Sequence, residues 1–593
     1  MQKLRKDIKE EDTWDLTYIF KDNKEFFDNL ELVKEEMKSI INFKDHILES
    51  SDSLLKFLEE SDNIERKLYK LYYYAHLNLD VDTTNTYSQE LEGKVTNLLQ
   101  EYSISTSFVI PELLKEDYHK VLGFLDENKY LDKYRFNLEL IYRYQNHSLD
   151  EKSEKLLSTL SKSFIAEDTF EALSDADMTF PSFKVGKDIF ELNESNYNTY
   201  IRSDNREIRK NAFHNLLTTY GSFKNTIAKT FSGNVELLCG MAKIKNFNSS
   251  IEASLYSDNI DVSVYNKLIE TVNKNLPVLY KYYDLKKEML KLDELHLYDI
   301  YTPLVSNNEK KYTFNEAKET VLSALSILGD DYIKNLNKAF EERWIDIYNN
   351  KGKRGGAYSS GFYDTKPYLL LNFEGKYEDV TTLAHELGHS MHTYYSCHNQ
   401  PYNLSSYNIF VAEVASTVNE LLLVHYLIKN SKDKKEKLFL LNQLMELYKG
   451  TIFRQVMFAE FERDMHHDLE NGEILTNEYL SSKYYELVKK YFGKNVIIDK
   501  EIANEWMRIP HFYYDFYVYK YAVGLSSATK IVNGILNNKK DAKEKYLKFL
   551  KTGGSMYPAD ELLVADVDVK SEEVYLSAIK EFDKIIDEFK SLL

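Results

Sequence analysis

Glycine, proline and cysteine are all scarce in this chain of 593 residues, which contains 20 Gly, 8 Pro and 2 Cys. Glycine and proline interrupt helices and mark loops, so their scarcity predicts long helices joined by short connections. The two cysteines, Cys239 and Cys397, lie far apart and form no CxxC pair. That spacing speaks against a disulfide framework or a thiolate metal cage and favours a reducing cytoplasm. We therefore expect a mostly α, cytoplasmic protein.

Excess positive charge and long apolar runs are also lacking. The net charge is −19 and the basic residues are interspersed with acidic ones, so we expect no nucleic-acid partner. No stretch approaches the roughly 18 uncharged apolar residues of a membrane span, and the first residues have no signal-peptide core. We expect no membrane partner either. The sequence gives no indication of the oligomeric state.

Two breaks interrupt the helical pattern. Single cores rarely exceed about 250 to 300 residues, so at least two structural units are expected. The segment 177–197 holds Pro181, Gly186 and two short alternating runs, which predicts a hairpin and a domain boundary near residue 190. The expected domains are therefore a helical region, 1–190, and a second region, 191–593. The segment 346–376 is rich in glycine and contains "YLLL", which predicts a loop and a buried strand.

The stretch "TTLAHELGHSMH", residues 381–392, concentrates chemistry in one helix. His385 and His389 are four residues apart and share a helical face, where two imidazoles can bind one Zn²⁺ per chain. Glu386 lies beside the metal and can take a proton from the attacking water, as in the HExxH pattern. Gly388 costs the helix about 1 kcal/mol, which suggests that another backbone approaches closely there.

The third zinc ligand is sought outside this helix, because a catalytic zinc normally has three protein ligands and one open position. His392 and Tyr395 stand where the metzincin pattern requires glycine and histidine, so that class is excluded. We expect His392 in the second shell or the pocket wall. Glu413, in the apolar helix "NIFVAEVASTVNELLLVHYLI", is the better candidate. Glu420 on the same stripe is expected to orient a ligand histidine, with an ordinary salt bridge as the alternative.

The HELGH motif followed by Glu413 in "VAEVAST" resembles the M3 family of zinc metallopeptidases, in particular the oligoendopeptidase F branch. The segments "DNREIRKNAF", "GKRGGAYSSG", "PYLLLNFEG", "IPHFYYDFYVYKYAVGL" and "GGSMYPADELL" also resemble that branch and occur in the family order. The resemblance covers about residues 200–565. The front part is more loosely similar to the family's helical amino-terminal region.

The resemblance implies a zincin-like helical metallopeptidase, in which two halves flank a deep channel and a small β-sheet lies next to the zinc helix. Such a channel would admit only short unfolded peptides. It also implies that His385, His389 and Glu413 are the zinc ligands and Glu386 the general base. The strand around "PYLLLNF" and the loop before it would bind the substrate backbone by edge pairing, with lining residues Gly356, Ala357 and Tyr358.

The segment 509–521, "IPHFYYDFYVYKY", would stabilise the oxyanion by the same resemblance. His511 follows Pro510 at the expected start of a helix and is the first candidate. Tyr517 is the preferred tyrosine donor and Tyr513 the second, with Tyr514 and Tyr521 as rivals; Tyr513 and Tyr514 are also expected to contact substrate. The spacing is shorter than in the thimet-oligopeptidase branch, which leaves the choice of tyrosine open. Simple core packing is the alternative for each tyrosine.

The sequence therefore predicts a zinc endopeptidase that hydrolyses internal bonds of oligopeptides. A dipeptidyl carboxypeptidase-type exopeptidase on the same scaffold is the close alternative. A non-catalytic zinc- and peptide-binding protein, or a helical scaffold without metal, belongs to another class. Only three good protein ligands are visible, whereas a structural zinc site usually has four, and this favours an enzyme.

Overall fold

A computed structural model describes residues 3–305 and 310–593. The described residues are mainly helical, as the scarcity of glycine and proline predicts. The helices of the first half are α1 Asn23–Ile40, α2 Ser51–Asp80, α3 Thr86–Ser105, α4 Val109–Leu114, α5 Tyr118–Glu127, α6 Arg135–Arg143, α7 Glu151–Leu160, α8 Ala166–Glu171, α9 Glu194–Ile201, α10 Arg206–Ser222, α11 Lys224–Ile244, α12 Ser250–Tyr256, α13 Val262–Lys274 and α14 Leu276–Met289.

Helices dominate the second half of the chain as well, and they carry the residues of the predicted site. They are α15 Phe314–Leu325, α16 Asp330–Glu341, α17 Tyr377–Asn399, α18 Ile409–Asn430, α19 Lys434–Tyr448, α20 Gln455–Glu470, α21 Asn477–Phe492, α22 Tyr519–Leu536, α23 Ala542–Phe549, α24 Pro558–Val564 and α25 Glu572–Ser591. The strands are β1 Phe183–Val185, β2 Asp188–Phe190, β3 Leu295–His296, β4 Ile345–Asp346, β5 Tyr358–Ser360, β6 Tyr368–Leu370 and β7 Val496–Ile497.

The short strands form three small sheets in the described residues. β1 and β2 form the antiparallel hairpin predicted between residues 177 and 197, and β3 pairs with β7 in parallel. The third sheet has the order β4-β6-β5, with β6 parallel to β4 and antiparallel to β5. The "YLLL" run supplies β6, whose three residues are fully buried, so the predicted buried strand is confirmed.

Contacts divide the chain into two compact units, each drawn from three segments. The first unit comprises Met1–Asn146, Glu309–Leu427 and Ile531–Val567. The second comprises His147–Asn308, Ile428–Lys530 and Asp568–Leu593. The division therefore does not follow a single cut in the sequence, and the expected boundary near residue 190 stays a prediction.

The core of the first unit is built on α2, which packs against α1 and α3. The Ser50 side chain caps α2 by accepting a hydrogen bond from the Ser53 N–H. Apolar residues then recur every three or four positions, and Leu54, Leu68 and Leu71 are fully buried. The same core includes Tyr368 and Leu370 of β6, so the three-stranded sheet is anchored in the helical region.

The core of the second unit contains α11, α13, α19, α20 and α25. α20 packs between α11, α12 and α13, and the Tyr265 hydroxyl on α13 donates to the Ala459 carbonyl at a distance of 2.9 Å. Buried aromatic rings such as Phe231 and Phe461 fill the space between these helices. α20 also carries three buried titratable side chains, Glu460, Glu462 and His466.

Helix α18 is long and apolar enough to cross a membrane by length and composition, with a mean hydropathy of 1.3 in its most apolar window. In the structure, 61% of that window is buried inside the protein. Burial against neighbouring helices explains an apolar helix as well as a bilayer does. Its function becomes clear from two glutamates that it presents to α17.

Candidate metal centre and active site

Helix α17 carries the two histidines of the HExxH motif. It begins after Lys376, where the Asp379 carboxylate accepts the Lys376 N–H at 2.8 Å and so caps the helix. His385 and His389 project side by side, with ring centroids 5.0 Å apart. The apolar side of the helix is fully buried, including Leu387. The spacing of the motif therefore places both imidazoles on one face, as predicted.

Helix α18 crosses α17 at the glycine of the motif. A Cβ atom added at Gly388 would lie 2.5 Å from the Cα of Ser416 and 2.6 Å from the Ala415 carbonyl oxygen. The predicted close approach of another backbone at Gly388 is thus confirmed. Asn419 of α18 strengthens the crossing because its amide donates to the Ala384 carbonyl at 3.2 Å. Only glycine permits this helix–helix distance.

The crossing brings a carboxylate from α18 to the two histidines. Glu413 Oε2 lies 3.4 Å from His385 Nε2 and 3.6 Å from His389 Nε2. The three ligand atoms lie within 4.8 Å of one another. Ligand atoms about 2.1 Å from a tetrahedral zinc would be about 3.4 Å apart, which matches these distances. The residues therefore fit a divalent cation, and Ser416 holds Glu413 in place through a 3.1 Å hydrogen bond to Oε2.

Glu420 stands behind the first histidine. Its Oε2 atom is 3.4 Å from His385 Nδ1, the ring nitrogen that faces away from Glu413. A carboxylate there favours a proton on Nδ1 and leaves Nε2 free to bind a metal. This placement agrees with the predicted orienting function of Glu420.

The carboxylates dominate the electrostatics around the histidines. Burial lowers the pKa of His385, but hydrogen bonds to Glu413 and Glu420 outweigh this and raise it to about 10. Hydrogen bonds from His385 and His389 hold the pKa of Glu413 well below its usual range. With Glu386 also adjacent, three carboxylates surround two imidazoles. Such a negative donor set suits a cation.

Glu386 lies beside the metal-ligand group and does not belong to it. Its side chain is 7% exposed, and burial raises the pKa of the carboxyl while the two histidines oppose that shift. The backbone N–H of Ser359 in β5 also opposes the shift. The hydroxyls of Ser359 and Ser390 lie 2.8 Å apart and tie β5 to α17. Glu386 is therefore held between the metal-ligand group and β5.

His392 differs from the prediction. The residue is fully buried, and its ring stacks on Tyr407 with centroids 3.7 Å apart. Neither ring nitrogen has a hydrogen-bond partner among the described residues, and burial lowers the pKa of His392 to about 3. Full burial argues against a position in the pocket wall, because one further turn of α17 points this ring into the core. The position in the second shell stays a prediction.

The glycine-rich loop before β5 is anchored on α2. Asp80, which is fully buried, accepts hydrogen bonds from the Tyr358 hydroxyl at 2.7 Å and pairs with Arg354 at 2.8 Å. The Tyr358 side chain is thus occupied by a structural contact. Gly356 and Ala357 lie just before β5, and the Gly356 carbonyl accepts the Asn372 amide at 2.7 Å. These three predicted lining residues could therefore contact a substrate only through their backbone N–H and C=O groups.

β5 is one of the two edge strands of the three-stranded sheet. β6 is the central strand, so the expected edge pairing by the "PYLLLNF" strand is wrong: both edges of β6 are occupied. Among the described residues β5 pairs with β6 alone, which leaves its other edge for a peptide. A cavity of about 790 Å³ within the first unit is lined by Ser359, Gly361, Thr393 and Tyr407. This volume is typical of ligand sites.

The predicted oxyanion segment lies in the second unit. Pro510 opens a 3₁₀ turn, Pro510–Tyr513, in which burial lowers the pKa of His511. The Tyr521 hydroxyl lies 3.5 Å from His511 Nε2, and the rings of Tyr517 and Tyr521 are 5.3 Å apart. Tyr514 is partly exposed beside His511. The histidine and three of the four candidate tyrosines therefore form one cluster.

Tyr513 is the one candidate tyrosine that lies outside this cluster. It is 8% exposed, its ring stacks on Phe170 at 4.8 Å, and its hydroxyl is 3.0 Å from Thr230 Oγ1. The ring and the hydroxyl are both engaged in packing contacts, which argues against the expected substrate contact and donor function of this residue. Core packing was the alternative for each tyrosine, and it holds here.

Sequence reasoning missed several residues that build the site. Ser416 and Asn419 orient Glu413 and lock the helix crossing, and Ser359 and Ser390 join β5 to α17. The available signal was a set of polar residues on an otherwise apolar helix, since such residues need partners when buried. The partners themselves could not be read from the sequence.

A largely helical fold with an HExxH pair and a glutamate from a crossing helix defines a metallopeptidase. The sequence profile of Peptidase family M3 matches residues 199–581, and that of Oligopeptidase F matches residues 112–180. This chain belongs to peptidase family M3. The resemblance stated from the motifs is thereby confirmed.

Relatives and solved structures agree with this assignment. The chain is 44% identical to oligopeptidase PepF of Bacillus subtilis over 99% of this chain and 88% of the relative. It is similar to the structure of a peptidase from Chlamydophila abortus, with a TM-score of 0.94 and 38% identity over the full length of both chains. The structure of oligoendopeptidase F from Enterococcus faecium matches with a TM-score of 0.73 and 33% identity, covering 96% of this chain and 99% of that chain.

Proposed function

We propose that this chain is a zinc-dependent endopeptidase that hydrolyses internal bonds of oligopeptides. The observation that carries the proposal is the convergence of His385, His389 and Glu413, with Glu386 beside them. Relatives named for oligoendopeptidase activity support the substrate class. Two imidazoles and one carboxylate are a donor set typical of catalytic zinc with one open position.

The reaction follows from the position of Glu386. A zinc ion held by the three ligands would lower the pKa of a coordinated water and polarise the scissile carbonyl. Glu386 accepts the proton of the attacking water and later delivers it to the leaving amine. The free edge of β5 holds the substrate backbone in an extended conformation beside Glu386.

His511 and a tyrosine of the same cluster are proposed to stabilise the charge that develops on the scissile carbonyl. The sequence favours Tyr517 as the donor. The 3.5 Å distance between the Tyr521 hydroxyl and His511 Nε2 favours Tyr521 instead, and we propose Tyr521 as the first candidate and Tyr517 as its competitor. Tyr514, which is partly exposed, is proposed to contact the substrate.

The protein is also proposed to function in the cytoplasm. Cys239 and Cys397 are both free thiols in the structure. A reducing compartment keeps such thiols free, whereas secreted proteins usually pair them.

The decisive experiment combines metal analysis with cleavage of an internally quenched peptide blocked at both ends. We expect about one zinc per chain, cleavage inside the peptide, and loss of cleavage after chelation. Glu386→Gln should lower kcat at least about a hundredfold and keep the metal, because the proton acceptor is lost while the ligands remain.

Glu378→Gln is the matched control, because Glu378 is an exposed glutamate of the same helix. It should leave activity and metal content unchanged. Products released only from a peptide with a free carboxyl terminus would favour the exopeptidase. Bound zinc without any cleavage would favour the non-catalytic binder.

A further inference from the structure

A sharp backbone turn lies in the middle of the His511–Tyr521 segment, where residues 514–516 bend. Asp515 and Phe516 have φ angles of +48° and +57°, in the left-handed region that residues with a side chain rarely adopt. Nowhere else in the described residues do two such non-glycine residues adjoin. Each costs roughly 1 kcal/mol or more, so the surrounding structure must hold the turn.

Two helices of the second unit hold this turn, each through one hydrogen bond to its backbone. Glu462 of α20 accepts the Phe516 N–H at 2.7 Å, and Ser254 of α12 donates its hydroxyl to the Asp515 carbonyl at 2.8 Å. One helical turn after Glu462, the His466 ring packs on the Phe516 ring with centroids 4.5 Å apart. α20 thus contacts both the backbone and the side chain of Phe516.

Burial of the Glu462 carboxyl is energetically unfavourable. It is fully buried, and its Oε2 atom has no hydrogen-bond partner among the described residues. In the described part of the chain, the groups that act on the pKa of its carboxyl are the Phe516 N–H and Asp515, and no cation is among them. Burying an unpaired carboxyl destabilises a protein relative to an apolar side chain of similar size. Fold stability therefore does not explain Glu462.

The turn decides where the histidine and tyrosine of the cluster meet. It lies between the 3₁₀ turn that carries His511 and helix α22, and the Tyr521 hydroxyl on α22 lies 3.5 Å from His511 Nε2. We propose that Glu462 is a positioning residue that fixes the Asp515–Phe516 turn and thereby holds His511 and Tyr521 for stabilisation of the transition state. This inference rests on the proposed function.

The neutral form of the side chain is sufficient for this task. Burial raises the pKa of Glu462 to about 8, although the hydrogen bond from the Phe516 N–H opposes the shift. Burial therefore favours the protonated carboxyl, which accepts the hydrogen bond through its carbonyl oxygen. An amide oxygen can replace it, whereas a thioether or an alkyl group cannot.

The test compares Glu462→Gln with Glu462→Met, which have similar size but differ in the acceptor. In the Met variant we expect kcat to fall about tenfold or more, with KM changed less than about twofold and zinc content unchanged, since small misplacements of catalytic groups affect mainly the transition state. The Gln variant should keep kcat within about threefold of the parent. A merely structural residue would instead lower the folded fraction and affect activity and metal content together.

Hydrogen exchange of the Phe516 amide gives a second readout that does not need activity. Exchange should be slow in the parent and the Gln variant and faster in the Met variant, because only the first two have an acceptor. Ser254→Ala removes the other contact to the turn and should lower kcat in the same direction by a smaller factor. If the Glu462→Met variant does not fold, Ser254→Ala still tests whether the turn positions His511 and Tyr521.

Equal kcat in the Met variant and the parent, or equal losses in the Gln and Met variants, would overturn the inference. So would an unchanged kcat in Ser254→Ala if the Met variant cannot be purified folded. A parent enzyme that cleaves no peptide would show instead that the proposed function has failed. The two failures are therefore distinguishable.

Discussion

The metal-ligand group and the His511–Tyr521 cluster place polar side chains in two different ways. The first depends on two regular helices, whose crossing at Gly388 brings Glu413 to the histidines. The second depends on an irregular turn that is held by residues distant in sequence, Glu462 and Ser254. Regular helical spacing can be read from a sequence, whereas a strained turn and its supports cannot. The comparison also predicts that the two regions fail differently when altered.

The largest effect is expected in the metal-ligand group. Glu413→Gln should abolish turnover and release most of the metal, because a neutral amide replaces the only anionic ligand. Metal analysis after dialysis, alongside the peptide assay, measures both effects. Glu386→Gln serves as the contrast, since it should lose turnover and keep metal. Full metal retention in Glu413→Gln would show that this carboxylate is not a ligand.

A smaller effect, on kcat alone, is expected in the cluster. Tyr521→Phe should lower kcat by about a hundredfold to a thousandfold, as the loss of one oxyanion donor does, while metal content stays the same. Tyr513→Phe is the control and should change kcat little, because its hydroxyl faces Thr230. Steady-state kinetics of both variants and of Tyr517→Phe decide the donor. A greater loss of kcat in Tyr517→Phe than in Tyr521→Phe would show that Tyr517 is the donor, as the sequence favours.

The smallest effects concern two helical glycines, one from each compact unit. Gly388→Ala should destabilise the protein by about 1–3 kcal/mol and weaken zinc retention, because its Cβ would meet the backbone of Ser416. Gly240→Ala in α11 is the control: a Cβ there meets nothing within 4 Å. It should stabilise the helix by about 0.5–1 kcal/mol.

Thermal unfolding and zinc titration of the two variants test this pair. Equal stability changes would contradict the idea that Gly388 is required by the helix crossing. Retained zinc affinity in a destabilised Gly388→Ala variant would show that the crossing tolerates a methyl group without moving Glu413.

Much of the fold was predictable because local rules governed it. The long helices, the hairpin near residue 185 and the strand of the "YLLL" run all followed from periodicity and from the positions of glycine and proline. The burial of His392 and Tyr513 was not predictable, for a different reason. Helical spacing shows which residues lie on the same face of a helix or turn, but it does not show what packs against that face. Only the packing partner decides whether a side chain faces a cavity or the core.

The sequence by itself determined the family, the mostly helical class and the pair of imidazoles with an adjacent glutamate, because residues four apart on a helix must share a face. Tertiary structure alone decided that β6 is central and β5 the edge, that Tyr521 meets His511, and that Glu462 supports the turn between them. These are contacts between segments far apart in the chain. Their free energy depends on which surfaces meet when the helices pack, and no local spacing encodes it.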